Sequence, residues 1–335
     1  MRRSKLGLAT GLGLGLLGYA ALVRRSRRTL VSDPPLGDLE AALKEWLAEA
    51  GLTAIDRYVH TPVGRVHVLL AGQGDSTVVV LAGLGASAGD FAELLARLAR
   101  QHRVVAIDLP GSGLSDPIRF PGHPRRPWDQ VITAVADQLG LSEFNLVGHS
   151  LGGLAAGGFA IDHPNRVRQL VLISPLGFSR RVPLLWNLSM VPGTMDLRGL
   201  YERAMLRRRL EEPGDRDGRS GHRGEWGVAR DLYRRRTGFR FGHGSDLDLV
   251  GRLLQPLGLR PESRLLPALG LLSGRVLVLW GSEDRRMPLP DAQAEIQYFK
   301  GIRLEVVPGL GHLLPVHRPD VAAQLITDFL GDLPS

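Results

Sequence analysis

The pentapeptide Gly-His-Ser-Leu-Gly at residues 148–152 constrains the fold more than any other feature of this sequence. An apolar run, residues 144–147, leads into it, and a run of small residues that can form a helix follows it. A serine on a sharp strand-to-helix turn projects its hydroxyl out of the sheet, and only small residues fit around such a turn. Gly148 and Gly152 supply that room. The sequence therefore predicts a strand–turn–helix elbow with Ser150 at its apex.

Strand and helix patterns alternate on both sides of this elbow. Apolar runs predict strands, of which the first two form a hairpin, at 55–61, 66–71, 78–82, 104–107, 144–147, 167–173, 276–280 and 303–307. Helical patterns occur at 39–50, 90–100, 128–139, 151–160, 292–299 and 321–330. Continuous apolar strands separated by helices indicate an α/β fold with a mostly parallel sheet that is covered on both faces.

The alternation stops at Pro175 and returns only near residue 276. Residues 177–272 are rich in Arg, Gly and Leu and show no strand pattern, which favours a mostly helical insertion. We therefore divide the chain into a core formed by residues 31–176 and 273–335, the insertion 177–272, and an N-terminal segment, residues 1–30.

A serine hydroxyl is nearly un-ionised at neutral pH, so a serine nucleophile needs a base, and the base needs an orienting carboxylate. In an open parallel sheet such groups lie on loops at the carboxyl ends of strands. Asp284 follows the predicted strand 276–280, and His312 follows 303–307. The order Ser150, Asp284, His312, with each residue at a strand end, predicts a catalytic triad.

Other residues compete for these roles. Glu283 is the alternative acid and His317 the alternative base, although His317 lies at the start of the last predicted helix, where capping or packing is expected. We expect the side chain of His149 to pack near the site without acting as the base. The remaining histidines show no paired metal-ligand spacing and are interpreted as solvent-facing or packing residues: His60, His67, His102, His123, His163, His222 and His243.

These motifs resemble the α/β-hydrolase superfamily over about residues 55–333, in the branch of lidded esterases and lipases with a serine nucleophile. The resemblance adds two loops, Ala82-Gly83-Leu84-Gly85 and the segment 108–115 (DLPGSGLS). By position in the family, the backbone amides of Leu84 and Leu151 would form the oxyanion hole, although Ala82 stands where the family commonly has histidine. Asp108 is expected to be structural.

The resemblance also implies that the insertion 177–272 forms a lid. Its apolar residues, such as Phe178, would either line an acyl pocket or form the core of the lid itself. Residues 180–240 contain fifteen arginines and eight acids, which indicates either a solvated surface or a face that turns towards anionic lipid. The expected activity is hydrolysis of a carboxylic ester, with a small-molecule acyl substrate.

Other chemistries remain open at this stage. Serine enzymes of the same superfamily include C–C bond hydrolases, aminopeptidases and perhydrolases, and a non-catalytic binding module is a further alternative. We expect no cofactor and no metal. The chain has no cysteine, which excludes disulfides, thiolate metal sites and a cysteine nucleophile. The sequence does not indicate an oligomeric state.

The N-terminal segment carries most of the positive charge. The formal net charge is +8, and residues 1–30 hold seven bases and no acids, so the rest of the chain has 35 bases and 34 acids. This distribution gives no support for a nucleic-acid partner. Residues 6–23 are uncharged and as a helix would span about 27 Å, close to the thickness of a bilayer. We expect an uncleaved membrane anchor that keeps the core at the cytoplasmic face; export by a signal peptide is the alternative.

Overall fold

Eight strands form one sheet in the computed structural model, which describes residues 36–83, 86–116, 126–178, 269, 272, 274–297 and 301–332. In chain order these strands are β1 (Ala54–Thr61), β2 (Gly64–Ala71), β3 (Thr77–Leu81), β4 (Arg103–Ile107), β5 (Phe144–His149), β6 (Val167–Ile173), β7 (Val276–Gly281) and β8 (Ile302–Val307). Each strand lies at the position that the apolar pattern predicts.

The strand order across the sheet is β1-β2-β4-β3-β5-β6-β7-β8. The β1–β2 hairpin is antiparallel, and β2 pairs antiparallel with β4. All the other neighbours pair in parallel. The mostly parallel sheet predicted from the sequence is therefore confirmed, with the hairpin at one edge. The carboxyl ends of β3 to β8 share one edge of the sheet, and the candidate site residues follow strands at that edge.

Helices cover both faces of this sheet. In the described residues they are α1 (Leu36–Glu49), α2 (Ala92–Leu98), α3 (Arg126–Gln138), α4 (Leu151–Asp162), α5 (Leu289–Ile296), α6 (Leu314–His317) and α7 (Pro319–Gly331). A 3₁₀ turn, Ala88–Phe91, leads into α2.

The alternation of side chains along each strand divides the apolar core in two. On β3, Val79 and Leu81 pack in the cluster that contains residues of α3, α4 and α5, whereas Val78 and Val80 pack with α1, α2 and α7. Because successive side chains point to opposite faces, a continuously apolar strand is buried on both sides.

Local interactions explain where helix boundaries differ from the prediction. The predicted helix 90–100 is split into the 3₁₀ turn and α2; Asp90 Oδ2 accepts a hydrogen bond of 2.9 Å from the Ser87 amide at the start of that turn. The predicted helix 292–299 begins at Leu289 instead. A one-turn helix, α6, precedes the last helix, and α7 begins at Pro319, a residue that favours the first helical position.

The N-terminal segment 1–30 and most of the insertion 177–272 lie outside the described residues. At the borders of the insertion, Phe178, Leu269 and Leu272 are buried in the same cluster as α4. The Phe178 ring lies 6.1 Å from the ring of Trp280 on β7, so Phe178 belongs to the core of the sheet domain. Within the part of the chain that the structure describes, no helix has the length and apolar character needed to cross a bilayer.

Candidate active site

Ser150 lies at the apex of the predicted elbow, between the last residue of β5 and the first residue of α4. Its backbone has φ 54° and ψ −113°, a conformation that residues other than glycine seldom adopt. Hydrogen bonds hold the turn to the end of the neighbouring strand: the Ser150 amide donates to the Ile173 carbonyl (3.0 Å), and the Leu176 amide donates to the Ser150 carbonyl (2.9 Å). The structure thus contains the strained turn that the pentapeptide predicts.

The positions around Ser150 require glycine because neighbouring atoms leave no room for a Cβ. A Cβ at Gly152 would lie 2.5 Å from the Ala82 carbonyl oxygen, and a Cβ at Gly148 would lie 2.8 Å from the Ala156 side chain. A Cβ at Gly153 would lie 2.7 Å from the Pro175 side chain. No real Cβ tolerates such distances, so these positions allow α4 to approach β5 and its neighbours closely.

Asp284 and His312 lie on the loops that follow β7 and β8, and they form a buried pair. His312 Nδ1 is 2.8 Å from Asp284 Oδ2, and the two side chains are 5% and 0% exposed, respectively. Because a carboxylate can only accept, neutral His312 carries its proton on Nδ1. Nε2 therefore has a free lone pair, the property that a general base for a serine hydroxyl requires.

The Asp284 carboxylate is also held by the main chain of its own loop. Its Oδ1 accepts hydrogen bonds of 2.9 Å from the amides of Arg286 and Met287. Burial acts to raise the pKa of Asp284, but the hydrogen bond and charge of His312, with the Met287 amide, outweigh burial and keep this pKa below its ordinary value. Asp284 thus remains ionised opposite the imidazole.

The loops that carry Asp284 and His312 are tied to each other and to the elbow. The Glu283 amide donates to the Leu310 carbonyl (2.8 Å), and the Gly309 amide donates to Ser282 Oγ (2.9 Å). His149 Nε2 lies 2.9 Å from the carbonyl oxygen of His312. Since His149 directly precedes Ser150, this contact brings the His312 loop against the elbow.

The competing residues are placed differently. Glu283 is exposed, whereas the neighbouring Asp284 is buried against the imidazole. His317 ends α6 rather than beginning the last helix, and its amide donates to the Leu313 carbonyl. The structure brings together the residues of the predicted triad loops, and it leaves Glu283 and His317 outside that arrangement.

The predicted oxyanion hole is described only in part. Leu84 lies outside the described residues. Gly83, which precedes it, is buried, and a Cβ there would lie 3.0 Å from Ser150 Cβ, so this loop begins directly against the elbow. Leu151 is the first residue of α4, where amides have no intrahelical acceptor.

No sequence pattern indicates a role for Ser174, which follows β6 beside the elbow. Ser174 is fully buried with φ 41°, and its amide donates to the Leu279 carbonyl (2.9 Å). Its hydroxyl is one of the groups that lower the pKa of Asp284, although the described residues offer it no partner in full hydrogen-bond geometry. An isolated serine at a strand end carries no sequence signal for such a role; the left-handed backbone is the signal, and it is visible only in three dimensions.

A second buried histidine–aspartate pair supports the loops behind the site. His67 Nδ1 on β2 is 2.8 Å from Asp108 Oδ2, with both side chains fully buried. Asp108 also accepts hydrogen bonds from the amides of Ala88 (2.7 Å) and Leu114 (3.0 Å). This set of bonds is consistent with a structural Asp108. It also shows that His67 belongs to a buried polar network, which its pattern on β2 did not indicate.

Comparisons with known proteins agree with this architecture. A family model described as the alpha/beta hydrolase fold matches residues 76–224. Among solved structures, the naproxen esterase (carboxylesterase NP) from Bacillus subtilis superposes with a TM-score of 0.66 at 20% identity, covering 90% of this chain and 99% of its own. A membrane phospholipase A, described as a bacterial virulence factor, gives a TM-score of 0.63 at 23% identity, covering 99% and 98%.

Two relatives show the range of activities found at this level of similarity. The dihydrolipoyllysine-residue acetyltransferase component of the acetoin cleaving system of Cupriavidus necator is 28% identical over 90% of this chain and 76% of its own length. The 2-hydroxy-6-oxononadienedioate/2-hydroxy-6-oxononatrienedioate hydrolase of Cupriavidus pinatubonensis is 26% identical over 80% and 91%. From its sheet, its elbow and these matches, we conclude that the chain has the α/β-hydrolase fold.

Proposed function

We propose that this protein is a serine hydrolase that cleaves a carboxylic ester through an acyl-enzyme. Ser150 is the nucleophile, His312 the general base and Asp284 the residue that orients the imidazole. The backbone amides of Leu84 and Leu151 are the proposed donors to the oxyanion. The observation that carries the proposal is the buried hydrogen bond between His312 and Asp284, on loops that pack against the strained Ser150 turn.

The proposed reaction follows from the proton positions in this pair. His312 Nε2 takes the proton of Ser150 Oγ while the oxygen attacks the ester carbonyl carbon. The tetrahedral oxyanion is stabilised by the two backbone amides, each worth on the order of 3 kcal/mol of the barrier. The imidazolium then protonates the leaving alkoxide, which departs as an alcohol. Finally His312 deprotonates a water molecule that attacks the acyl-enzyme. The imidazolium then returns this proton to Ser150 Oγ as the acid leaves, which restores the enzyme.

Ester hydrolysis requires only the groups in this scheme. The compound named for the Cupriavidus pinatubonensis relative contains no ester, so its hydrolysis breaks a C–C bond, and the carbon atom that leaves must take up a proton. This relative makes C–C bond hydrolysis the second candidate. A panel of p-nitrophenyl esters of graded acyl length, assayed beside a 2-hydroxy-6-oxo-dienoate, discriminates the two. Turnover of the dienoate at a much higher kcat/KM than every ester would overturn the ester assignment.

Labelling by a fluorophosphonate probe tests the nucleophile itself. We expect the wild-type protein to be labelled, S150A to be unlabelled, and the matched variant S142A, which changes an exposed serine before β5, to be labelled like the wild type. Absence of wild-type labelling, together with absence of ester turnover, would favour a non-catalytic binding module. Equal labelling of S150A would exclude Ser150 as the nucleophile.

We also propose that the protein associates with membranes and that the insertion 177–272 is a lid that selects the acyl group. The support is compositional: residues 6–23 are uncharged and flanked by bases, and the insertion has arginine triplets at 207–209 and 234–236. Near an anionic leaflet each base contributes about 1 kcal/mol. A lid that faces lipid suits an apolar ester as substrate.

Vesicle flotation separates the two parts of the membrane proposal. The full chain is expected to float with neutral and anionic vesicles, whereas a chain that begins at residue 31 is expected to float only with anionic ones. Equal recovery of the shortened chain with both vesicle types would exclude a role for the arginines. The mass of the mature N-terminus tests the proposed cytoplasmic orientation, because removal of residues 1–30 in cells would indicate an exported protein.

A further inference from the structure

His149 is in contact with the candidate base through main chain. It ends β5, directly precedes Ser150, and is 3% exposed. Its Nε2 lies 2.9 Å from the carbonyl oxygen of His312. A carbonyl oxygen can only accept, so the proton of neutral His149 is on Nε2, and Nδ1 has the lone pair. The nitrogen atoms of His149 thereby have different roles, and one of them fixes the backbone of the base.

The ring of His149 also packs against two other rings. Its centroid lies 4.8 Å from that of the His312 ring, with 48° between the planes. The Phe91 ring meets it nearly edge-on, at 5.6 Å and 75°. Phe91 ends the 3₁₀ turn that follows the Gly83 loop. The imidazole therefore connects three parts of the site: the elbow, the loop of the base and the turn beyond β3.

The second nitrogen of His149 faces the start of the predicted oxyanion loop. Nδ1 is buried and has no hydrogen-bond partner among the described residues. A Cβ at Gly83 would lie 3.0 Å from it, so any side chain at position 83 would crowd this nitrogen. His149 thus fills the space between Gly83 and His312.

The charge state of His149 suits this position. Burial, followed by the nearby charges of His312 and Arg286, lowers the pKa of His149 to about 3; the bond to the His312 carbonyl and the charge of Asp284 oppose the shift without cancelling it. His149 is therefore neutral near pH 7. It neither competes for the proton of Ser150 nor repels the imidazolium that forms on His312.

We propose that His149 is a positioning residue for the base: its Nε2–H donates to the His312 carbonyl, and its ring packs on the His312 imidazole, so that Nε2 of His312 is aligned with the nucleophile of the adjoining turn. The inference rests on the proposed function, in which His312 is the base. It assigns a role in alignment to a side chain that does not itself exchange a proton with the substrate.

Three substitutions separate the hydrogen bond from the packing. H149F keeps an aromatic ring but leaves the His312 carbonyl without its donor. H149Q keeps an N–H at about the same reach as Nε2, and H149N has a similar amide that is too short. Loss of alignment acts on the chemical step more than on substrate binding, so kcat is expected to fall while KM changes little.

Steady-state hydrolysis of a p-nitrophenyl ester measures this effect. We expect H149F and H149N to lower kcat about tenfold or more with KM within about twofold, and H149Q to recover at least a third of the wild-type kcat. The matched control is H102F, which removes another buried histidine at a distance from the site and is expected to keep the wild-type kcat. Wild-type kcat in both H149F and H149N would overturn the inference. If H149F does not fold, a wild-type kcat in H149N alone has the same consequence.

The rate of fluorophosphonate labelling distinguishes failure of this inference from failure of the proposed function. Slower labelling of H149F than of the wild type, with recovery in H149Q, supports alignment by His149. Labelling of wild type and H149F at the same rate leaves the serine hydrolase intact and rejects the role of His149. A wild-type protein that neither reacts with the probe nor turns over an ester removes the proposed function, and with it this inference.

Discussion

Ser150 and Ser174 have backbone dihedrals that serine seldom adopts, with φ of 54° and 41°. They are the non-glycine residues with positive φ among those that the structure describes. Such a conformation costs roughly 1–2 kcal/mol for a residue with a Cβ. Both serines follow neighbouring parallel strands, β5 and β6, at the edge where Asp284 and His312 meet. Strain at this edge is therefore concentrated at the candidate site.

Substitutions at Ser174 separate its strain from its hydroxyl. S174G and S174A both remove the hydroxyl that helps to lower the pKa of Asp284, so we expect each to reduce kcat by a similar factor, about fivefold. Only glycine relieves the left-handed backbone, so S174G is expected to exceed S174A in free energy of unfolding by about 1 kcal/mol. Urea denaturation and ester hydrolysis measure the two effects. Equal stability of the two variants would show that the backbone is not strained there.

The identity of the acid can be tested with two adjacent carboxylates. D284N removes the charge opposite His312 Nδ1 and is expected to lower kcat on the order of 10³- to 10⁴-fold, because the imidazole loses its preferred tautomer. E283Q changes the exposed neighbour and is expected to stay within about twofold of the wild type. Comparable losses in both variants would contradict the assignment of Asp284.

At the scale of secondary-structure elements, the approach of α4 to the sheet depends on glycine. G152A would place a methyl group 2.5 Å from the Ala82 carbonyl oxygen, which is main chain and cannot rotate away. We expect G152A to lose about 3 kcal/mol of unfolding free energy and most of its ester turnover, because the elbow must shift. Thermal and urea denaturation measure the loss.

G37A is the matched control for this substitution. Gly37 is exposed in the first turn of α1, and a Cβ there would meet nothing within 4 Å. Alanine has the higher helix propensity, so G37A is expected to stabilise the protein by about 0.5 kcal/mol. If G152A were as stable as G37A, the close approach of α4 to the end of β3 would not exist in solution.

The elements that the sequence predicted are those with a long apolar pattern. Strand β6 has the predicted bounds, Val167–Ile173, because seven residues that are largely apolar leave little ambiguity. The 3₁₀ turn Ala88–Phe91 and the one-turn helix α6 were missed. Both are short, and side-chain bonds such as that of Asp90 or the position of Pro319 define them, so hydrophobic periodicity carries no signal for either.

The candidate site likewise has a part that the sequence predicts and a part that it does not. That Ser150, Asp284 and His312 lie at the same edge of the sheet was predictable, because each follows a recognisable strand and parallel strands end at one edge. The His67–Asp108 pair was not predictable, since His67 lies in the middle of β2 rather than at a strand end. Their contact depends on the register of β2 against β4, where Val68 pairs with Ile107. Strand order and register are set by the packing of the whole sheet, which one sequence does not reveal.

For the molecule as a whole, the buried histidine beside the site makes stability depend on pH. The pKa of His149 is lowered to about 3 by burial and then by the charge of His312, whereas an unfolded histidine has a pKa near 6.5. Between these values the unfolded chain binds a proton that the folded chain excludes. The free energy of unfolding therefore has its full value above about pH 6.5 and falls as the pH decreases towards 3.

Between pH 7 and pH 5 this linkage amounts to about 2 kcal/mol from His149. Asp284 contributes nothing in that interval: its folded pKa is lowered, so its stabilisation is lost only as the pH falls below the ordinary aspartate pKa of about 3.9. Burial also lowers the pKa of His102, so His102 likewise makes the free energy of unfolding fall as the pH decreases. We expect the wild type to lose about 2 kcal/mol more than H149Q between pH 7 and pH 5 in urea titrations, because H149Q keeps His102 and removes only the His149 proton. Equal losses in both proteins would mean that folded His149 binds a proton as readily as the unfolded chain does. The assignment of a neutral His149 ring beside His312 would then be wrong.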